Sequence, residues 1–97
     1  MEFKFATKEL ARLYETGQGP YASAVIKAFI KKVGLIKNAK HENDLRAFKS
    51  NHFEKLKGQK NSYSIRLNVQ YRLIFELQAD GLYKIVLIKE ISNHYSK

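Results

Sequence analysis

The spacing of the apolar residues changes near residue 50, and this change most constrains the fold. Before it, apolar residues recur three and four positions apart, as Val25, Phe29 and Val33 do, which predicts amphipathic helices. From Phe53 onward they alternate with polar residues, which predicts strands. Helices followed by a run of strands indicate an α+β fold, with the helices on one face of an antiparallel sheet.

Capping and turn residues predict where the individual helices and strands begin and end. Alternation over residues 2–6 predicts a first strand. Thr7 can cap a helix after it, and Gly17 can end that helix before a second one over residues 20–37. The remaining predictions are a helical turn at 44–48, strands at 53–57, 63–67, 71–77 and 82–91, and turns at Gly58 and Asp80-Gly81. An N-terminal strand and two helices are therefore expected on one face of an antiparallel sheet of four to five strands.

Length and composition limit the class of protein. The chain has 97 residues, so a single domain over residues 1–97 is expected. It contains no cysteine, which excludes disulfides and thiolate metal sites and fits a reducing compartment. No signal peptide is recognisable, and no apolar run approaches the roughly 20 residues that span a bilayer. We therefore expect a cytoplasmic protein that does not use a membrane.

Positive charge is the main indication of a partner. The chain carries 18 Lys and Arg against 9 Asp and Glu, a net charge of +9. The excess is spread over both halves, so the folded domain itself is predicted to attract polyanions such as nucleic acid. The alternative is that the charge only keeps the protein soluble. Lys27, Lys31 and Lys32 lie off the apolar stripe of the second helix and are predicted to be solvated, although such a face can also contact phosphates.

The parity of the hairpin over residues 63–75 predicts a pair of opposed arginines. Apolar side chains stand at the odd-numbered positions of both strands, so they share a face only if the loop has an odd number of residues. A three-residue loop over residues 68–70, with Asn68 left-handed, places Arg66 directly opposite Arg72. Like charges in that position destabilise a sheet, whereas two neighbouring guanidinium groups bind phosphate well. We therefore expect Arg72→Ala to leave the fold intact, if anything slightly more stable.

The next turn extends this cationic face. If Asp80-Gly81 is a two-residue turn, Arg72 pairs with Lys89 on the face that carries Arg66. Lys55 and Lys57 alternate outward on a neighbouring strand. The alternative is a solvated face on which the charges are spaced by chance.

Other candidate residues are less constrained by the pattern. The hairpin register predicts that Tyr63 and Tyr71 pack in the core rather than stack on bases. His94 is a candidate for proton transfer because of its place near the arginines. His41 and His52 have no metal-ligand spacing and no clustered carboxylates, so no role and no metal site are predicted for them.

Four segments resemble a known family. They are EKLKG at residues 54–58, YSIRLN at 63–68, QYRLIF at 70–75 and EISNHY at 90–95, and they are similar to HigB-type toxins of the RelE/ParE superfamily. The resemblance implies two helices on an antiparallel sheet, and ribosome-dependent, metal-free cleavage of mRNA that inhibits translation. It also implies a cognate antitoxin, commonly a HigA-like helix-turn-helix protein, and no cofactor.

The resemblance also implies roles for individual residues. The catalytic residues would be Lys57, Arg66, Arg72, His94 and Tyr95, and the RNA-binding residues would be Lys55, Lys60, Asn68 and Lys89. Related ParE toxins share the fold and act on DNA gyrase, so a gyrase inhibitor is an alternative to the nuclease. A non-catalytic RNA-binding module is a second alternative.

Overall fold

The computed structural model describes residues 1–80 and 83–93. The elements are β1 (Glu2–Phe5), α1 (Lys8–Thr16), α2 (Ser23–Asn38), α3 (Glu42–Arg46), a 3-10 turn (Lys49–Asn51), β2 (Glu54–Lys55), β3 (Ser62–Arg66), β4 (Tyr71–Asp80) and β5 (Tyr83–Asn93). This order confirms the predicted one, although the strand predicted at 53–57 contains only two paired residues. Within the described residues, no helix is long and apolar enough to span a bilayer.

The ends of α1 follow the predicted signals. The Thr7 hydroxyl accepts a hydrogen bond from the Leu10 N–H at 3.2 Å and so caps the helix. Gly17 has a left-handed backbone with φ 69°, and its N–H closes the last turn on the carbonyl of Leu13. The start predicted for α2 at residue 20 is three residues early, because Ala22 is extended and the helix begins at Ser23.

The five strands form one sheet in the order β1-β5-β4-β3-β2. Every pairing is antiparallel except that of β1, which runs parallel to β5 at one edge. The α+β class is confirmed, and the sheet is mixed rather than wholly antiparallel. Alternation in residues 2–6 predicts a strand but carries no information about the direction of its neighbour.

The core lies between the helices and one face of the sheet. On the helix side, Phe29 and Val33 are fully buried. On the sheet side, Ile65 and Phe75 are also fully buried. Phe5 of β1 closes one end of this layer, with its ring 5.5 Å from Tyr14 and 6.3 Å from Phe29. The apolar stripe of α2 is therefore part of the core, as its period predicts.

One prediction for α2 is wrong. Lys27 and Lys31 are exposed, but Lys32 is buried. Its Nζ donates a hydrogen bond to Oδ1 of Asn51, which is itself fully buried. The period of the helix places Lys32 beside the stripe, and the chain around the 3-10 turn then covers it.

The hairpin register is confirmed. Ile65 pairs with Leu73, and Arg66 pairs with Arg72. The turn is closed differently from the prediction, because His52 and Asn61 are the only non-glycine residues with positive φ in the described part of the chain. Asn68 instead accepts hydrogen bonds through Oδ1 from the N–H groups of residues 70 and 71, at 2.8 and 2.7 Å.

The predicted register of the last strand is wrong. Asp80 belongs to β4 and pairs with Tyr83, so it is not a turn residue, and Gly81 lies outside the described residues. A β-bulge next to Ile74 and Phe75 shifts the pairing further. Arg72 consequently lies opposite Ser92 rather than Lys89.

An ion pair between α3 and β5 gives the first prediction. Lys84 Nζ lies 2.9 Å from a carboxylate oxygen of Glu42, and this hydrogen bond holds the pKa of Glu42 below its ordinary value. A lowered carboxyl pKa stabilises the fold above the unfolded-state pKa, and this contribution is lost as the pH falls through the folded-state pKa. We expect Glu42→Gln to lower the free energy of unfolding by less than about 1 kcal/mol at neutral pH.

The measurement is urea denaturation of both proteins from pH 7 to pH 3. The difference between the two stability curves should shrink toward the acid end, since wild-type Glu42 takes up a proton as the pH falls through its folded-state pKa. Glu15→Gln, a change at an exposed glutamate of α1, is the matched control and should not reproduce this pattern. A difference that persists unchanged at low pH would show that the pair does not supply the effect.

Candidate phosphate-binding site

Arg72 makes more hydrogen bonds than its partner in the opposed pair. Its side chain is 11% exposed, on the sheet face opposite the core residues Leu73 and Phe75. The Nε atom donates to the Ser64 hydroxyl at 2.8 Å, and Nη2 donates to the His52 carbonyl and, at 3.4 Å, to the carbonyl of Ser64. Arg72 therefore ties β4 to β3 and to the chain entering β2.

The charge of Arg72 is only partly balanced. Burial lowers its pKa, the carboxylate of Glu54 raises it, and the positive charge of Arg66 lowers it further. Arginine nevertheless stays protonated at physiological pH. The Glu54 Oε1 atom lies 4.0 Å from Nη1, at the limit of an ion pair. Arg72 is thus a buried cation that holds the framework of the site.

Arg66 is half-buried and contacts a residue for which the sequence predicts no role. Its Nη1 atom lies 3.2 Å from Nε2 of His52. Because a guanidinium group can only donate, Nε2 must be the acceptor, which puts the proton of a neutral imidazole on Nδ1. His52 therefore meets both arginines, one through its ring and the other through its carbonyl.

The backbone of His52 explains why β2 is short. The β2–β3 register pairs Glu54 with Ser64, and its continuation would place His52 opposite Arg66. His52 instead takes a left-handed conformation, with φ 44° and ψ 55°, and the strand pairing stops. For a residue with a Cβ this conformation costs on the order of 1 kcal/mol. The edge of β3 is consequently open beside Arg66, and no periodic feature of the sequence marks this position.

Three predicted lysines gather at the β2–β3 connection. Lys55, Lys57 and Lys60 are exposed and line an open cavity of 610 Å³ together with Leu56, Gly58 and Gln59. None of the described residues that line it is acidic. Gly58 permits the bend through a left-handed φ of 74°. A second group of cations thus lies on the loop between β2 and β3.

Other predicted site residues are placed elsewhere. Lys89 lies 3.8 Å from a carboxylate oxygen of Glu76 and is not opposite Arg72. The side-chain oxygen of Asn68 is used to close the hairpin turn. His94 and Tyr95 lie outside the described residues.

The hairpin tyrosines pack against other rings, as predicted. The ring of Tyr63 lies 5.2 Å from Phe53 and stacks on Phe75 at 6.0 Å. Tyr71 contacts Tyr21 edge to face, also at 6.0 Å. Both tyrosines pack against the core, so the hairpin presents its arginines, and neither of these two rings, to a ligand.

This arrangement suits a phosphodiester better than a neutral ligand. Guanidinium groups offer planar forks of donors that match phosphate oxygens. Donors that are fixed before a reaction can also stabilise negative charge that develops during it. Glu54 is the one carboxylate that forms an ion pair with either arginine in the described part of the chain, and it is itself largely exposed.

Comparison with known proteins agrees with this reading. Residues 3–88 match the family described as the RelE-like toxin of the type II toxin–antitoxin system HigB. Toxin HigB-1 of Vibrio cholerae serotype O1 is 37% identical over 79 residues, which cover 78% of this chain and 83% of that protein. An uncharacterised protein of Haemophilus influenzae is 34% identical over 86 residues, which cover 86% of this chain and 85% of the other.

The fold is similar to that of a solved structure. The YoeB/ParE toxin from Agrobacterium tumefaciens superposes with a TM-score of 0.62, covering 98% of this chain and 100% of that one. Its sequence identity is 19%, so the likeness concerns the fold.

The contacts of Arg72 change the expected result of removing it. Arg72→Ala leaves the buried Ser64 hydroxyl and the His52 carbonyl without their donor, which should lower the free energy of unfolding by about 1–3 kcal/mol. Arg66→Ala removes a member of a like-charge pair whose one side-chain hydrogen bond in the described structure is to the exposed His52, and it should change stability by less than about 0.5 kcal/mol. Urea denaturation of the two variants compares them directly. Equal losses would contradict the division between a framework arginine and an accessible one.

Proposed function

The chain belongs to the family of HigB-like toxins of type II toxin–antitoxin systems, and we propose that it cuts mRNA on the ribosome and thereby inhibits translation. Membership of this family implies a cognate antitoxin. We propose that the antitoxin is a HigA-like helix-turn-helix protein and that both proteins act in the cytoplasm.

The observation that carries this proposal is the pairing of Arg66 with Arg72 on a basic domain. The pair is held side by side although like charges opposite one another destabilise a sheet. A bound phosphate offsets that repulsion, because its oxygens accept hydrogen bonds from both cations. Arg72 is held by its hydrogen bonds to Ser64 and His52, whereas Arg66 lines an open pocket, so Arg66 is the cation we assign to the substrate.

The proposed reaction is a metal-independent transesterification. The RNA 2′-oxygen attacks the neighbouring phosphorus while a base removes its proton, and the bond from phosphorus to the 5′-oxygen breaks as an acid protonates that oxygen. The products are a 2′,3′-cyclic phosphate and a 5′-hydroxyl end. Arg66 and Lys57 would stabilise the charge that grows on the non-bridging oxygens, and Arg72 would hold the frame around them.

The proton-transfer residues are proposed from two sources. The family resemblance suggests His94 or Tyr95, with Lys57 as the substitute. The geometry adds His52, whose imidazole shares a hydrogen bond with Arg66. A phosphate that draws Arg66 away would leave Nε2 of His52 free to accept a proton. Lys55, Lys60, Asn68 and Lys89 are proposed to contact the flanking RNA.

The test is to map RNA ends in cells after brief induction of the toxin. The wild-type protein should produce new cleavage sites within translated messages and stop growth. Arg66→Ala should reduce cleavage by at least a hundredfold, since one preorganised charge donor typically contributes about that much. Arg12→Ala, the same substitution at an exposed arginine of α1, is the matched control and should cut like the wild type.

Other outcomes would replace the proposal. DNA damage and inhibited DNA gyrase without new RNA ends would indicate a gyrase inhibitor. Salt-sensitive RNA binding with neither cleavage nor growth arrest would indicate a non-catalytic binding module. Full cleavage by the Arg66→Ala protein would remove the arginine pair from the mechanism.

A further inference from the structure

A second cationic pocket lies between α2 and the open edge of β3. Its volume is 360 Å³, and it is lined by Ala28, Lys31, Lys32, Ser50, His52, Arg66 and Leu67. No acidic side chain lines it among the described residues. It shares Arg66 and His52 with the candidate site, so a ligand held by Arg66 would adjoin this pocket.

Lys32 is the unusual residue of this pocket. It is buried, and Asn51 accepts one of the hydrogen bonds that its ammonium group can donate. Asn51 is itself anchored, because its Nδ2 donates to the carbonyl of Leu45 at 2.9 Å. The amide thus fixes the position of the Lys32 ammonium group at the pocket wall.

The charge of Lys32 is costly where it stands. Its pKa is lowered by burial and, secondly, by the charge of Lys31. In the described part of the chain Lys32 forms no ion pair with a carboxylate. An ammonium group has three donors, and burying one without a counter-charge is unfavourable. An apolar residue would fill this position beside Val33 without that cost, so stability does not explain the lysine.

We propose that this pocket binds a phosphate of the RNA strand that flanks the scissile phosphate, held by Lys32, Lys31 and the Ser50 hydroxyl. This inference rests on the proposed function, and it adds a path for the RNA beyond the cleaved bond. The strand would run from the arginine pair across the open edge of β3 to α2. An acidic segment of the antitoxin is the other polyanion that such a pocket would accept, but the shared Arg66 favours a ligand continuous with the substrate.

The test combines one charge removed from the protein with one removed from the RNA. Ribosomes would carry a message whose 2′-hydroxyl at the cut site is methylated, so that the toxin binds without cleaving. In matched messages the phosphate on one side or the other of that site is replaced by a neutral methylphosphonate. Affinities would be measured for wild-type, Lys31→Ala and Lys27→Ala proteins. Lys27 is the control because it is exposed on the same helix and does not line the pocket.

We expect Lys31→Ala to weaken binding of the normal message about tenfold, the usual scale for losing a charge-assisted contact. With the neutral linkage at the correct side, Lys31→Ala should bind as well as the wild type does, because the contact is absent in both. Lys27→Ala should differ from the wild type by the same small factor on every message, because it keeps both pocket lysines. Lys32→Met, which removes the buried charge while keeping the volume, should behave as Lys31→Ala does.

Two results would overturn the inference. One is a Lys31→Ala affinity equal to that of Lys27→Ala. The other is a loss of affinity in Lys31→Ala that neither neutral linkage abolishes, which would assign Lys31 to a contact with the ribosome. If Lys31→Ala weakens binding of the antitoxin instead, Lys31 belongs to the antitoxin interface. In both cases the wild-type protein still cuts an unmodified message, so failure of this inference is distinct from failure of the proposed nuclease, which would cut none.

Discussion

The geometry of the site depends on the hydrogen bonds of Arg72. A guanidinium group in this position must find acceptors, and it finds them on Ser64 of β3 and on the carbonyl of His52. The second contact fixes the chain where β2 ends, and so keeps His52 beside Arg66. One cation therefore positions the other through the backbone, although the two also repel each other.

The hairpin register could be predicted, whereas the register of β5 could not. Strand side chains alternate strictly between the two faces of the sheet. The apolar residues of the hairpin share a face only if the loop has an odd number of residues, and a loop of three places Arg66 opposite Arg72. The register of β4 with β5 follows instead from the pairing of Asp80 with Tyr83 and from a bulge beside Ile74. An extra residue in one strand leaves the apolar alternation nearly intact on both sides of it. Lys89 was consequently assigned to the wrong neighbour.

The burial of Lys32 and the contacts of His52 with the arginines, which the sequence does not predict, have a common cause. The chain around the 3-10 turn (Lys49–Asn51) passes alongside α2 and then enters β2. It carries Asn51, which meets Lys32 from 19 residues away, and His52, whose left-handed backbone opens the edge of β3. Helical period places Lys32 beside the apolar stripe but does not show that it is buried, because periodicity describes one element and not the segment that covers it. Sequence reasoning could therefore name the arginine pair but not its surroundings.

The net charge does not distinguish the roles of these cations, but the free-energy cost of holding each one in the fold does. An exposed lysine such as Lys27 contributes to the general attraction of polyanions and costs the fold almost nothing. Arg72 is buried but well supplied with acceptors, so it is explained by the structure that it holds. Arg66 and Lys32 are each held near another positive charge, and contacts within the described part of the domain do not offset that repulsion. An anion that contacted both side chains would relieve both repulsions at once. The free energy of that relief would strengthen binding of the anion and, by linkage, stabilise the folded domain by the same amount.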